Sequence, residues 1–301
     1  VHRQFLDGAS YDRSILRFPR SAVAPETFRL LESLSIEDEQ RLNQLREWIL
    51  GCGRVFVAYS GGVDSTLVAA IAQEQLADGA CAITGVSPSL APHLLAEARQ
   101  QAHWLGIRHR EVETRELEDP AYSSNPRDRC YACKRELHSH LAPIAQAAEG
   151  ARVLDGVNLD DLGDHRPGLQ AASEAGVGSP LADLQIDKSC VRRVSRALGF
   201  PWWDKPAQPC LASRFPYGEV ISHDRLRKVG QAEAWLIERG FSRVRVRSQG
   251  LSARIEVPQE RLAELLAPQL RDSLVRVMLE LGFTSVSLDL EGLVSGKLNR
   301  V

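Results

Sequence analysis

The run Val55-Phe56-Val57-Ala58-Tyr59 passes straight into Ser60-Gly61-Gly62-Val63-Asp64-Ser65 and then into a helical stretch, Thr66 to Leu76. A short apolar run of β-formers, a glycine turn and a helix make the first half of a βαβ unit, and that constrains the fold more than any other feature. The pattern repeats. Cys81 to Val86 reads as a second buried strand, followed by a helix from about His93 to Leu105. His109 to Val112 reads as a third strand. A helix from about Arg135 to Ala148 precedes a fourth, Arg152-Val153-Leu154-Asp155-Gly156. Strands alternating with helices at this spacing predict a parallel sheet, with ligands gathered at the carboxyl ends of the strands. Upstream, Ser35-Ile36-Glu37-Asp38-Glu39 has a capping serine and early acids. Leu42, Leu45, Trp48 and Ile49 then recur at helical spacing.

The text changes after about Trp203. Pro206, Pro209 and Pro216 mark a loop, and Ser222 to Arg239 reads as a helix. Residues 242–247 and 253–257 alternate like half-exposed strands, with a turn near Gln249-Gly250. Helical stretches at about 259–266 and 270–280 and a last strand, Ser285 to Leu290, complete a small α+β unit. With 301 residues, two domains are expected. We set them at 36–208 for the α/β part and 209–301 for the second, with 1–35 as an extension interrupted by Arg, Pro and Ser.

The glycine turn has a chemistry of its own. Two adjacent glycines let the backbone take positive φ and approach a ligand closely. The helix that follows points free N–H groups back at the loop, which makes an anion site. Asp64 would repel a phosphate unless it holds Mg²⁺, so a metal bridge is its expected role. The chain contains no GxxxxGK[ST], so this is not a Walker loop.

The hexapeptide SGGVDS resembles the PP-loop of the ATP pyrophosphatases. That resemblance implies a Rossmann-like, adenine nucleotide alpha hydrolase-like sheet. It also implies an enzyme that cleaves ATP between the α and β phosphates and adenylates an oxygen of its substrate. ATP binding then falls on Ala58, Ser60, Gly61, Gly62, Asp64 and Ser65, with adenine at the end of the second strand, at Val86. Asp155 heads a segment, Asp155-Gly156-Val157-Asn158-Leu159-Asp160-Asp161, that resembles the later Gly-x-x-x-Asp-Asp strand end of these enzymes.

Six cysteines are too sparse for a disulfide scaffold. Cys52, Cys81 and Cys190 read as structural thiols. Cys130 and Cys133 form a CxxC in Arg129-Cys130-Tyr131-Ala132-Cys133-Lys134. One pair cannot complete a zinc site. A third thiolate, Cys210 in Pro209-Cys210-Leu211-Ala212-Ser213-Arg214, would make it an iron–sulfur site with one open iron. Arg214 and nearby Lys205 suggest a lowered thiol pKa at Cys210.

A PP-loop, RCYACK, PCLASR and an Arg-rich strand pair together resemble the LarE family over roughly residues 36 to 301. These are ATP-dependent sulfur transferases of nickel-pincer nucleotide cofactor synthesis. The resemblance implies a pyridinium-3,5-biscarboxylic acid mononucleotide substrate, whose adenylated carboxylate becomes a thiocarboxylate. It implies ATP, Mg²⁺ at Asp64, and a [4Fe-4S] cluster on Cys130, Cys133 and Cys210; a sacrificial Cys210 is the other sulfur source in the family. It also implies a homo-oligomer, a trimer or hexamer.

The anionic substrate calls for forked cations, and Arg214, Arg245 and Arg247 suit it, with Ser213 as a donor. Arg243, Arg245 and Arg247 would share one strand face. Glu256 is expected to pair with an arginine or orient it, and Glu233 is a weaker candidate of the same kind. Other readings remain open: a PP-loop tRNA thiolase, an amide-forming relative of NAD synthase, and a nucleotide-binding regulatory module. A formal net charge of -2 argues against a nucleic-acid partner. No apolar run approaches a membrane span and the first residues lack a signal-peptide core, so a cytoplasmic, soluble chain is expected.

Overall fold

A computed structural model of the chain describes residues 28–148, 150–163, 167–294, 296–297 and 300. Most of the extension expected at 1–35 lies outside the described residues. The chain divides into two compact units. The described part of the larger ends at Arg227, and that of the smaller begins at Lys228.

In the larger unit the elements alternate as expected. They run α1 (Ile36–Leu50), β1 (Val55–Ala58), α2 (Val63–Leu76), β2 (Ala80–Val86), α3 (Pro92–Leu105), β3 (Arg108–Glu113), α4 (Pro120–Ser123), α5 (Arg129–Ala147), β4 (Arg152–Leu154), α6 (Pro167–Glu174), α7 (Pro180–Asp183) and α8 (Lys188–Ala197). The four strands form a parallel sheet in the order β3-β2-β1-β4. β1, at the centre, is buried at every position, as a strand covered on both faces must be. α2 is the most buried helix, with Leu67, Val68 and Ile71 fully enclosed.

Ser35 caps α1 as expected, its Oγ accepting from Asp38 N at 3.1 Å. Asp38 is buried and ties α1 to α8 through a two-pronged pair with Arg193, at 2.7 and 2.8 Å. That guanidinium holds the Asp38 carboxyl down at about 2. Residues 28–35 belong with this unit. Phe28 meets Phe200 edge-on at 5.4 Å, and Leu31 N–H donates to Ala197 O.

Two helices start earlier than the sequence pattern predicts. α2 begins at Val63, so Asp64 and Ser65 lie in its first turn, and α5 begins at Arg129, so the whole CxxC is helical. The unit boundary also differs from the expected join at 208/209, because residues 209–227 are seated in the larger unit by backbone hydrogen bonds. Leu211 N donates to Ser89 O at 2.8 Å, Gly218 N to Asn125 O at 2.9 Å, and Ile221 N to Ser123 O at 2.7 Å.

The boundary falls within α9 (His223–Ile237). The smaller unit continues with β5 (Arg245–Gln249), β6 (Ser252–Glu256), α10 (Leu262–Leu265), α11 (Pro268–Glu280) and β7 (Ser285–Leu288). β5 and β6 are antiparallel, and β7 runs parallel to β6. Gly250 makes the tight turn at φ +55. Val246, Ala253, Ile255 and Met278 fill the core. β5 starts at Arg245, so Arg243 is outside the strand and exposed, and the expected row of three arginines is a row of two. No helix among the described residues is long and apolar enough to cross a membrane.

Candidate active site

The carboxyl end of β1 opens into the glycine loop. Gly61 takes φ +68, which favours glycine, and a Cβ there would stand a tight 3.1 Å from the Ala98 backbone. Gly62 departs from the expectation. It is the N-cap of α2 at φ -76, a conformation open to any residue. The loop is braced internally. Ser60 and Ser65 hydroxyls meet at 3.1 Å, Ser65 Oγ donates to Gly62 O at 3.2 Å, and Gly62 N donates to Ser60 Oγ at 3.3 Å.

Asp64 is clasped. Lys188 Nζ, at the start of α8, pairs with Oδ2, and Asn158 Nδ2 donates to Oδ1 at 3.1 Å. A carboxylate that already holds one cation at the mouth of the loop has the donor chemistry for Mg²⁺, which would take the ammonium's place. Lys205 is a second cation at the loop. It donates to Gly61 O at 3.0 Å and pairs with Glu97 at 2.5 Å, so it is committed to the loop and not to Cys210.

The segment after β4 supports the loop from the other side. A Cβ on Gly156 would stand 2.5 Å from Ser65 N and 2.8 Å from Ser65 Cα, so only glycine lets this strand end touch the start of α2. Asp155 is buried and turned inward. It accepts from Val157 N at 3.1 Å and from Ser179 Oγ at 2.9 Å, and burial pushes its carboxyl up. Asp161 accepts from Asn158 N and Asp160 from Lys188 N, both at 3.1 Å. The two acids thus fix the residues that hold Asp64. At the other expected nucleotide contacts, Ala58 is buried and Val86 half-buried.

Cys81 and Cys190 are buried, and Cys52 is half-buried. Cys130 is exposed and Cys133 lies one helical turn on, half-buried; Cys210, also half-buried, precedes the single turn Leu211–Arg214. The Cys133 thiol is pushed up, first by burial, then by Glu116, then by Cys210 and Cys130; Lys134 opposes this. Charge on Cys210 or Cys130 would be felt at Cys133.

A hydrogen-bonded hub underlies them. Ser89 Oγ donates to the buried Glu116 at 2.9 Å and meets Ser87 Oγ at 2.7 Å, while Ser89 O accepts from Leu211 N at 2.8 Å. The phenol of Tyr122 is buried near this hub, and its pKa is pushed up by burial, then by Cys210 and, more weakly, by Cys133. Among the described residues no three His, Cys, Asp or Glu side chains stand in a preformed metal arrangement. Thiols are nevertheless the donor chemistry of an iron–sulfur cluster, because bound iron holds its ligands as thiolates.

The predicted anion partners are turned to protein groups. Arg214 Nη1 donates to Pro209 O at 3.1 Å and to Ser213 Oγ at 2.8 Å. In the smaller unit, Arg247 forms a two-pronged buried pair with Glu256 at 3.0 and 3.1 Å, and Arg254 adds a contact at 3.6 Å. Glu256 is therefore a salt-bridge partner of Arg247. Arg245 is half-buried and donates to Val294 O at 3.3 Å. Glu233 accepts from Val246 N at 2.9 Å, which ties α9 to β5. Sequence reasoning passed over Lys188, Asn158, Glu116, Ser89 and Tyr122. The Lys188–Asp64 pair spans 124 positions, and no local signal marks it.

Together the parallel sheet, the glycine loop at the end of β1 and the clasped Asp64 define a Rossmann-like PP-loop domain of the ATP-pyrophosphatase type. No family model matches the chain. It is 38% identical over 247 residues to pyridinium-3,5-bisthiocarboxylic acid mononucleotide synthase of Lactiplantibacillus plantarum, covering 82% of this chain and 89% of that one. It is 53% identical to an uncharacterized protein of Synechocystis, covering 87% of this chain and 98% of that one. A protein of Methanocaldococcus jannaschii, also uncharacterized, is 28% identical over 79% of this chain and 90% of its own length. The chain belongs to the LarE family.

Proposed function

We propose that this chain is an ATP-dependent sulfur transferase that converts pyridinium-3,5-biscarboxylic acid mononucleotide to its thiocarboxylate. The observation that supports the reading is the presence of Cys130, Cys133 and Cys210 in the same unit as the PP-loop. A carboxylate resists nucleophiles until its oxygen becomes a leaving group. The loop N–H groups and the α2 terminus receive the phosphates, with Lys188 and Lys205 as flanking cations and Asp64 as the Mg²⁺ ligand. The substrate carboxylate attacks the α-phosphorus, pyrophosphate leaves, and the acyl adenylate then loses AMP to sulfur.

Cys130, Cys133 and Cys210 would hold a [4Fe-4S] cluster, which when bound supplies an iron-borne sulfide as the nucleophile. Ser213 and Arg214, in the same unit as the PP-loop, are offered to the anionic groups of the nucleotide. The protein would work as a cytoplasmic trimer or hexamer, as the family resemblance implies.

In a second reading Cys210, half-buried just ahead of the turn Leu211–Arg214, is a sacrificial donor. Its sulfur would attack the acyl adenylate, and β-elimination would then break the Cβ–S bond, leaving dehydroalanine on the chain and the thiocarboxylate on the product. Either route requires Cys210. With ATP, Mg²⁺ and the mononucleotide, Cys210→Ala should still release pyrophosphate but form no thiocarboxylate. Unchanged product formation by that variant would point to another nucleophile and overturn both.

A further inference from the structure

Arg129 opens α5, beside Cys130 and one turn before Cys133. Its side chain is buried, with the residue 4% exposed. Nε is enclosed with no hydrogen-bond partner, and among the described residues no carboxylate or carbonyl pairs with the guanidinium. The guanidinium lies over the face of Tyr217, whose ring centroid is 5.1 Å away; Arg127 stands over the same ring at 5.5 Å.

The other buried arginines among the described residues are matched. Arg247 has Glu256, and Arg214 donates to Pro209 O and Ser213 Oγ. An enclosed guanidinium on a ring that already carries a second one is poorly compensated, because a ring quadrupole replaces only part of the lost hydration. The surroundings add to the positive field. Asp128, the N-cap of α5, makes no side-chain capping bond, so the positive end of a 19-residue helix faces this corner. Lys134 lies one turn on and half-buried.

A single oxyanion would balance this corner. The planar fork of Arg129 suits a carboxylate, which it can grip with two parallel N–H···O bonds. A ligand with two ring carboxylates needs one held still while the other is activated. We propose that Arg129 is the receptor for the non-reacting carboxylate of an aromatic dicarboxylate acceptor, presenting the opposite carboxylate to the cysteine set. The proposal rests on the sulfur-transfer reading for its choice of acceptor. The anion site itself rests on Arg129.

The test is calorimetric titration of the full-length protein with pyridine-3,5-dicarboxylate, with inorganic phosphate as the second arm, on wild type, Arg129→Lys and Arg129→Met. The dicarboxylate should bind wild type, lose about tenfold or more in affinity in the Met variant, and lose less in the Lys variant, which keeps charge but not the fork. The melting temperature of the ligand-free Met variant should be equal to or above wild type, because an uncompensated buried charge is gone. A structural arginine would lower it. In turnover, KM for the acceptor should rise while KM for ATP stays put.

Equal dicarboxylate affinity in wild type and Arg129→Met, or no binding by wild type, overturns the proposal. So does binding of phosphate in preference to the dicarboxylate, which would assign the site to a phosphate instead. If wild type forms thiocarboxylate and Arg129→Met keeps the acceptor KM, the sulfur-transfer reading stands and this inference falls. If wild type forms none but binds the dicarboxylate through Arg129, the site stands and the reading falls.

Discussion

Glu256→Gln tests the energetics of the smaller unit. The Glu256 side chain is completely buried and Arg247 is 6% exposed, and the two join through paired bonds of 3.0 and 3.1 Å. The pair is a diagonal one, because Arg247 stands opposite Arg254 and Glu256 opposite Arg245. The amide keeps the shape but removes the charge that offsets two guanidiniums. Breaking a buried pair from one side costs about 3–5 kcal/mol, most of it from the charge left behind. Arg254 retains Asp289 at 3.3 Å, so the loss falls mainly on Arg247 and the lower end of that range applies. Hydrogen exchange of β5 and β6 amides should accelerate by about a hundredfold at 3 kcal/mol. The double variant Arg247→Met, Glu256→Leu should recover most of the protection, since an apolar replacement removes both desolvation costs. Acceleration below about tenfold in Glu256→Gln, or no recovery in the double variant, would show that the pair is solvated and that the argument is wrong.

Three other outcomes follow from the larger unit. Gly156→Ala pushes a methyl group into the Ser65 backbone, where the ideal distance is 2.5 Å. It should cost about 1–3 kcal/mol in denaturant midpoint and lower ATP-dependent pyrophosphate release by about 10²-fold through displacement of the loop. Asp38, held at about 2 against an ordinary 3.8, contributes stability that is complete above about pH 4 and lost as the pH falls through 2. Arg193 is half exposed, so screening trims this to about 1 kcal/mol, and Asp38→Asn should flatten that part of the acid titration. Ser89→Ala strips the hydroxyl from Glu116 and Ser87 at the hub behind Cys210. It should lower stability by about 1–3 kcal/mol and cut thiocarboxylate yield per pyrophosphate released, with Ser89→Thr as the rescuing control.

What the sequence makes legible is local. The βαβ alternation, the Ser35 cap and the glycine loop are each written within a dozen neighbouring residues, and each is present in the structure. The start of α5 is not legible because Pro126 and the charged run Arg127-Asp128-Arg129 read as a loop, whereas Pro126 accepts the first helical N–H and the charges simply face outward or onto Tyr217. Gly62 looks like a partner in a strained turn, but the early start of α2 makes it an ordinary N-cap. The strip of basic residues in β5 reads as an open binding face; tertiary pairing with Glu256 takes Arg247 out of it. Lys188 and Lys205 reach the loop from 124 and 144 positions away, a distance over which spacing carries no signal. Proline content points to a join at 208/209, yet backbone bonds to Ser89, Ser123 and Asn125 hold residues 209–227 in the larger unit.

The claim that the three thiols deliver sulfur to an adenylated carboxylate is tested most directly by mass spectrometry of both protein and nucleotide after strictly anaerobic turnover with ATP. Thiocarboxylate product with an unchanged protein mass, from brown protein that loses its colour in Cys130→Ala or Cys133→Ala, is the predicted result. Product from colourless protein whose Cys210 has become dehydroalanine would contradict the cluster and leave the sacrificial route. A nucleotide that gains no sulfur while pyrophosphate accumulates would contradict sulfur transfer altogether.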